Sequence, residues 1–273
     1  MFPTLSFFLV LILSTNAATR AARADTLSDD EPVHVYFGNG CFFHTQHSFV
    51  NQLEKVRQIG SGATSCRRRR MLFVFNTPLQ LILKRLGSDI TALAAYAGGL
   101  DDPSTEDLCY HNADSYADYG ELGHAEVVSM TLDDSDSVKE AAKVFFLDFK
   151  ELEPGQWTRQ DVFDRGTEYR AVIGLPGGVT GPYYSAVSAA NDEVHKLKLM
   201  EGSGGDEDTI DTGVVWVYDT ARFPSRQAEV CLQFHDDAPT YSEPYSERYH
   251  ELKDTLLEAG TITNTTCPVN YIC

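Results

Sequence analysis

Three short runs hold the residue types that could do chemistry: Gly40-Cys41-Phe42-Phe43, Gly123-His124-Ala125-Glu126, and Asp164-Arg165-Gly166-Thr167-Glu168-Tyr169-Arg170. Between them they supply a thiol, a carboxylic acid, a second acid and a phenol. A thiolate is a nucleophile, and a carboxyl kept neutral is a proton donor. Cys41 and Glu126 together therefore predict nucleophilic attack assisted by a general acid. A lone Cys is more often a small buried hydrophobe, but the other two runs weigh against that reading. Cys41, His44 and His47 also spell Cys-x-x-His-x-x-His. Three ligands at helical spacing without a fourth make zinc the minor reading, and no metal is expected.

The elements around these runs must position them. Val33-His34-Val35-Tyr36-Phe37 alternates like a half-buried strand and ends at Gly38-Asn39-Gly40. Phe42, Phe49, Val50 and Leu53 follow at helical spacing, which places Cys41 at or just before the first turn of a helix. Partial positive charge there is expected to lower the thiol pKa. Residues 89–97 predict a second strand ending at Gly98-Gly99. A third covers residues 125–130, where Glu126 lies among Val127, Val128 and Met130. An unpaired carboxylate is costly in that setting, and burial keeps a carboxyl protonated. Val138, Ala141, Ala142, Phe145, Phe146 and Phe149 stripe a helix. Tyr169, Ala171 and Ile173 mark a fourth strand, residues 182–199 a third helix, 201–211 a flexible loop, and Val214–Tyr218 a fifth strand. This uneven alternation predicts an α+β domain with helices packed on one antiparallel or mixed sheet.

In this order the three runs resemble the signature of the A-type peptide methionine sulfoxide reductases, Gly-Cys-Phe-Trp-Gly, Gly-His-Ala-Glu and Asn-Asp-x-Gly-Thr-Gln-Tyr-Arg. The resemblance covers residues 32–175, with a fainter echo to the C-terminus and a break at 56–86. It implies a two-layer sandwich with a ferredoxin-like core. It also implies reduction of methionine (S)-sulfoxide, free or in peptides, through a Cys41 sulfenic acid. The identical Gly-His-Ala-Glu run places Glu126 in the site, not on a solvated strand face, with His124 beside the substrate. Phe42 and Phe43 would form the methyl pocket, although Phe43 stands where the family has Trp and His44 where it has Gly. Asp164 and Tyr169 would hold the oxygen or a water, and Arg170 would pair with a structural carboxylate. The family's Asn-Pro-Thr-Tyr stretch matches Asp102-Pro103-Ser104-Thr105, so its phenol is absent. Among Tyr110, Tyr116 and Tyr119, the best replacement is Tyr119. A resolving Cys in a mobile tail is a family habit that Cys267 and Cys273 suit; their alternative is a structural Cys267–Cys273 disulfide. Cys109 and Cys231 are expected in the interior. A thioredoxin-like dithiol would return the electrons, with no other cofactor.

Length and composition set the bounds. The 273 residues can bury one full core. A net charge of −18 disfavours a nucleic-acid partner, despite the isolated Arg67–Arg70 run. Residues 1–24 read as a cleaved secretory signal around the apolar Phe7–Leu13. The expected setting is the secretory pathway or an organelle reached through it, with no membrane contact after cleavage and a monomeric state. Asn264-Thr265-Thr266 is a glycosylation acceptor in that setting. The catalytic domain is drawn at 32–235, followed by a helix and Cys-bearing tail at 236–273. Residues 56–86 look foreign to it, and a surface excursion and a translated intron both stay open. Two rivals stand beside the reductase: a degenerate relative that binds methionyl peptides or senses oxidant, and a zinc-binding structural module.

Overall fold

A computed structural model of the chain describes residues 32–54, 91–100, 107–235, 245, 247–268 and 272–273. The signal segment, the atypical 56–86 stretch and Asp102–Thr105 lie outside the described residues. Strand β1 (Val33–Gly38) leads into helix α1 (Phe42–Phe49), and a π turn (Val50–Glu54) closes that helix. Then come β2 (Leu93–Ala97), β3 (Ala125–Leu132), α2 (Ser135–Phe146), β4 (Phe149–Glu153) and β5 (Gln156–Arg159). The chain continues through β6 (Val172–Leu175), α3 (Tyr184–Val194), β7 (Lys198–Glu201), β8 (Val214–Asp219), β9 (Arg226–Gln227) and α4 (Glu247–Glu258).

Seven strands form one mixed sheet in the order β7-β8-β6-β1-β3-β2-β9, and β4 and β5 make a separate hairpin. β1 pairs antiparallel with β3 and β6, and β2 with β3. The run β1-α1-β2-β3-α2-β6 is thus the ferredoxin-like core, with β8 and β7 added in parallel at one edge. The fold is α+β.

Alternation explains the layering. Val35 and Phe37 of β1 point to the same face as Val128 and Met130 of β3, and there they meet Phe49, Ala141, Phe145 and Val187 from the helices. α2 starts cleanly because the Asp134 side chain accepts the Ser137 amide at 2.7 Å. Two predicted elements shift. The expected 182–199 helix stops at Val194, since the chain turns at Lys196 (φ 63°) and extends into β7. The fourth strand begins at Val172, because Thr167–Tyr169 form a 3-10 turn. No helix among the described residues is long and apolar enough to cross a membrane.

Candidate active site

The Cys41 turn is a junction between strand and helix. Gly40 sits at φ +84°, and a Cβ there would lie 2.7 Å from an Asp161 carboxylate oxygen, so this position requires glycine. The Gly40 amide donates to the Tyr169 carbonyl at 3.0 Å, tying the first run to the third. Cys41 is the N-cap of α1, and among the described residues it is the cysteine outside a disulfide. Its own amide donates to Asp161 Oδ2 at 2.9 Å.

Glu126 is placed by register. It lies opposite Tyr96 across β2–β3, so both side chains face the helix layer beside Phe42. The carboxyl is buried and doubly held: Oε2 accepts the Phe42 amide at 2.9 Å, and Oε1 accepts the Tyr119 hydroxyl at 3.0 Å. Burial pushes its pKa up to about 8; these two donors pull it down, while Asp164 and Glu168 add to the rise. The carboxyl is therefore neutral at pH 7.

For Cys41 the expected direction is reversed. Burial raises the thiol well above its ordinary value, and charge on Glu126 adds to that. The Phe43 and His44 amides at the helix start favour the thiolate, but they do not win. Desolvation of the sulfur outweighs the pull of the helix end. At neutral pH the site holds a thiol facing a carboxylic acid.

Tyr119 is clamped on several sides. Its ring stacks on Tyr96 at 4.4 Å and lies 4.9 Å from His111. Tyr96 is fixed by its hydroxyl, which donates to Glu229 at 2.9 Å. His111 bridges Asp118 at 2.9 Å and Glu168 at 3.1 Å. Burial lowers the pKa of His111, but its two carboxylate partners outweigh that and raise it. Tyr169 is half-buried within hydrogen-bonding reach of Tyr119, and its pKa is raised first by burial and then by Glu126 and Asp164. Asp164 lies close enough to Cys41 and Glu126 to influence both, and its amide donates to Asp161 Oδ1 at 3.1 Å.

Cys41, Phe42, Tyr119, Glu126, Asp164 and Tyr169 thus converge. The other expected residues have contacts of their own. The Phe43 ring is buried between Phe42 (4.8 Å) and His235 (4.6 Å). The His124 ring accepts the Gly99 amide at 3.2 Å, while its own amide donates to the Tyr119 carbonyl at 2.8 Å. Cys267 and Cys273 are paired with Cys109 and Cys231, so the alternative Cys267–Cys273 bridge is not formed. Cys109 also anchors the Tyr119 loop, since its carbonyl accepts the Tyr119 amide at 3.0 Å, so the Cys109–Cys267 bridge braces that loop. His44 faces Asp148 at 3.3 Å and His47 faces Asn51, away from any shared zinc point. Among the described residues no group of three His, Cys, Asp or Glu is arranged to hold a metal.

Arg170 departs from expectation most usefully. Among the described residues it pairs with no carboxylate directly. Fully buried, it donates to the carbonyls of Gly98 (2.8 Å), Gly123 (3.1 Å) and Thr167 (2.6 Å) and to the Tyr218 hydroxyl (3.1 Å). The Tyr218 hydroxyl in turn donates to Asp206 Oδ2 at 2.7 Å. One guanidinium therefore binds the loops that follow Tyr96, precede Glu126 and precede Tyr169. Arg170→Met leaves these acceptors unsatisfied and is expected to cost about 3–5 kcal/mol, read as a lower urea midpoint with an unchanged m-value.

Asp161, Tyr96 and Glu229 belong to the site although sequence reasoning did not select them. Tyr96 stands two residues before the Gly98-Gly99 turn, a signal that was available. Asp161 and Glu229 act over 120 and 133 residues, beyond any local pattern.

No family model and no curated protein matches the chain. Among solved structures, the methionine sulfoxide reductase A of Corynebacterium diphtheriae is similar at 15% identity and a TM-score of 0.38, over 79% of this chain and 81% of that one. That likeness is too shallow to assign chemistry.

Proposed function

We propose that this chain is a thiol-dependent reductase of methionine (S)-sulfoxide that works through a Cys41 sulfenic acid. One observation carries the reading: a buried, neutral carboxyl, Glu126, is fixed by the Phe42 amide and the Tyr119 hydroxyl immediately beside the free thiol. Both of its oxygens already accept, so its proton is free to be donated into the pocket. Aromatic walls from Phe42, Tyr96 and Tyr119 suit a methyl group on sulfur.

In the reaction Glu126 hydrogen-bonds the sulfoxide oxygen and withdraws electrons from its sulfur. Cys41 takes the oxygen as the sulfoxide S–O bond breaks; the thioether departs reduced by two electrons and Cys41 is oxidised by two. The thiol proton ends on the sulfenic acid, and Glu126 lends and regains its own. A second thiol then forms a disulfide with Cys41 and releases water. A thioredoxin-like dithiol returns the enzyme to its starting state, with no further cofactor. The S-epimer preference and the secretory setting follow from the resemblance and the N-terminal sequence. Turnover of a sulfoxide substrate with dithiothreitol is the direct test, and an inactive wild-type protein ends the proposal.

The resolving thiol is assigned to the Cys231–Cys273 pair, because Cys231 packs in the same apolar cluster as Cys41. After full reduction and one equivalent of sulfoxide, Cys231→Ser/Cys273→Ser is expected to retain a sulfenate that dimedone traps. Cys109→Ser/Cys267→Ser is expected to lose it to a disulfide. Mass spectrometry reads both, and the opposite pattern reverses the assignment.

A second reading is a degenerate relative that binds methionyl peptides or senses oxidant without turning over, motivated by Phe43, His44 and Thr105 where the resembled family has Trp, Gly and Tyr. Such a protein forms sulfenate with peroxide and leaves sulfoxide untouched in a single-turnover assay.

A further inference from the structure

His111 joins the two segments that bring phenols to Glu126. Its Nδ1 faces Asp118 Oδ2 at 2.9 Å, and its Nε2 faces Glu168 Oε2 at 3.1 Å. Asp118 immediately precedes Tyr119, and Glu168 immediately precedes Tyr169. Carboxylates only accept, so a ring bonded to both donates from both nitrogens. The protonated ring does this, and its two partners favour that form. Both ends of the bridge are fixed. Asp118 is buried, and its Oδ1 also accepts the Gly120 amide at 3.0 Å and the Glu121 amide at 3.2 Å. Glu168 packs so closely on Gly120 that a Cβ there would collide with its Oε1, and glycine after Tyr119 lets that carboxylate reach the ring.

The Tyr119 loop needs such a tie. Ser115 and Ala117 stand at φ 48° and 49°, left-handed values that residues with a Cβ adopt only when the surroundings hold them. The Tyr119 hydroxyl meets Glu126 at 3.0 Å, and a displacement of about 1 Å ends that bond. We infer that His111 is a positioning residue of the reaction: by bridging Asp118 and Glu168 it holds the Tyr119 hydroxyl on Glu126 and keeps Tyr119 beside Tyr169. This rests on the sulfoxide-reductase reading. His111 acts through Tyr119, whose ring centre lies 4.9 Å from its own.

The test uses the full chain at about pH 6, below the ordinary pKa of histidine, where the ring is charged. Leu in His111→Leu fills much of the space of the ring and donates to neither carboxylate. Its kcat on methionine sulfoxide with dithiothreitol is expected to fall about tenfold, with KM changed less than twofold. Tyr119→Phe is expected to lose a similar amount, and adding His111→Leu to it should cost less than a further twofold. Losses that multiply across the pair overturn the proposal, because His111 then does not act through Tyr119. A second readout needs no substrate. The infrared C=O band of the neutral Glu126 carboxyl, identified by its loss in Glu126→Gln, should move to higher frequency in both Tyr119→Phe and His111→Leu. A band that stays at its wild-type place in folded His111→Leu leaves His111 as a loop brace and overturns the positioning role. Should His111→Leu fail to fold, Glu168→Ala cuts only the other half of the bridge and is judged by the same two measurements. If the band moves as expected but wild type reduces no sulfoxide, the positioning of Tyr119 stands and the reductase reading fails.

Discussion

Cys41→Ser is expected to reduce no sulfoxide above the uncatalysed background, a loss of about 10⁴-fold or more, while folding as wild type does. Sulfur can accept an oxygen atom and later give it up as water; a serine hydroxyl cannot. Stability should change little, because Cys41 is the N-cap of α1 and serine is among the better residues for that place. The neighbouring hydrogen bonds use the Cys41 amide and carbonyl, which the substitution keeps. The measurement is methionine released per enzyme, with the urea midpoint determined on the same preparation. Turnover near the wild-type rate in a folded Cys41→Ser protein removes the sulfenic acid mechanism. A second control comes from dimedone labelling, which should vanish with Cys41 and persist when Cys231 and Cys273 are replaced.

Much of this site could be seen in the sequence because its residues come in local packets. Cys41 stands where a strand pattern gives way to a helix pattern, and that junction forms as expected. The period-2 pattern of β3 puts Glu126 among apolar neighbours, and the register opposite Tyr96 explains why it faces Phe42 and Tyr119. Tyr119 was chosen for its closeness to the Gly-His-Ala-Glu run, and its hydroxyl meets Glu126. The sign of the Cys41 pKa was not readable. Helix position is a local property, whereas desolvation depends on what the rest of the chain packs around the sulfur. The same limit hid Asp161, Glu229 and the partners of the tail cysteines, all fixed by contacts more than 40 residues apart. The partners of Arg170 are not legible locally, because a buried guanidinium has five donors and can be satisfied by several carbonyls as well as by one carboxylate.

Glu126→Gln is expected to lower kcat by about 10²–10⁴-fold and to remove the protein's main alkaline sensitivity. Glutamine keeps the shape and can still hydrogen-bond the sulfoxide oxygen, but it has no proton to lend. In wild type both Glu126 and Cys41 are neutral below pH 8, so kcat/KM should be level there and fall as Glu126 ionises above it. A rate that climbs up to pH 8 would instead mean attack by a preformed thiolate. The stability effect has a definite sign. Glu126 binds its proton more tightly folded than unfolded, since its pKa stands at about 8 against 4.5. Its contribution is therefore complete below pH 4.5 and is lost progressively until pH 8. The loss is on the order of 5 kcal/mol by proton linkage. Urea midpoints at pH 5 and pH 9 should drop steeply between the two for wild type and much less for Glu126→Gln. Parallel curves for the two proteins would mean that the buried carboxyl is ionised throughout, and an ionised Glu126 cannot serve as the acid.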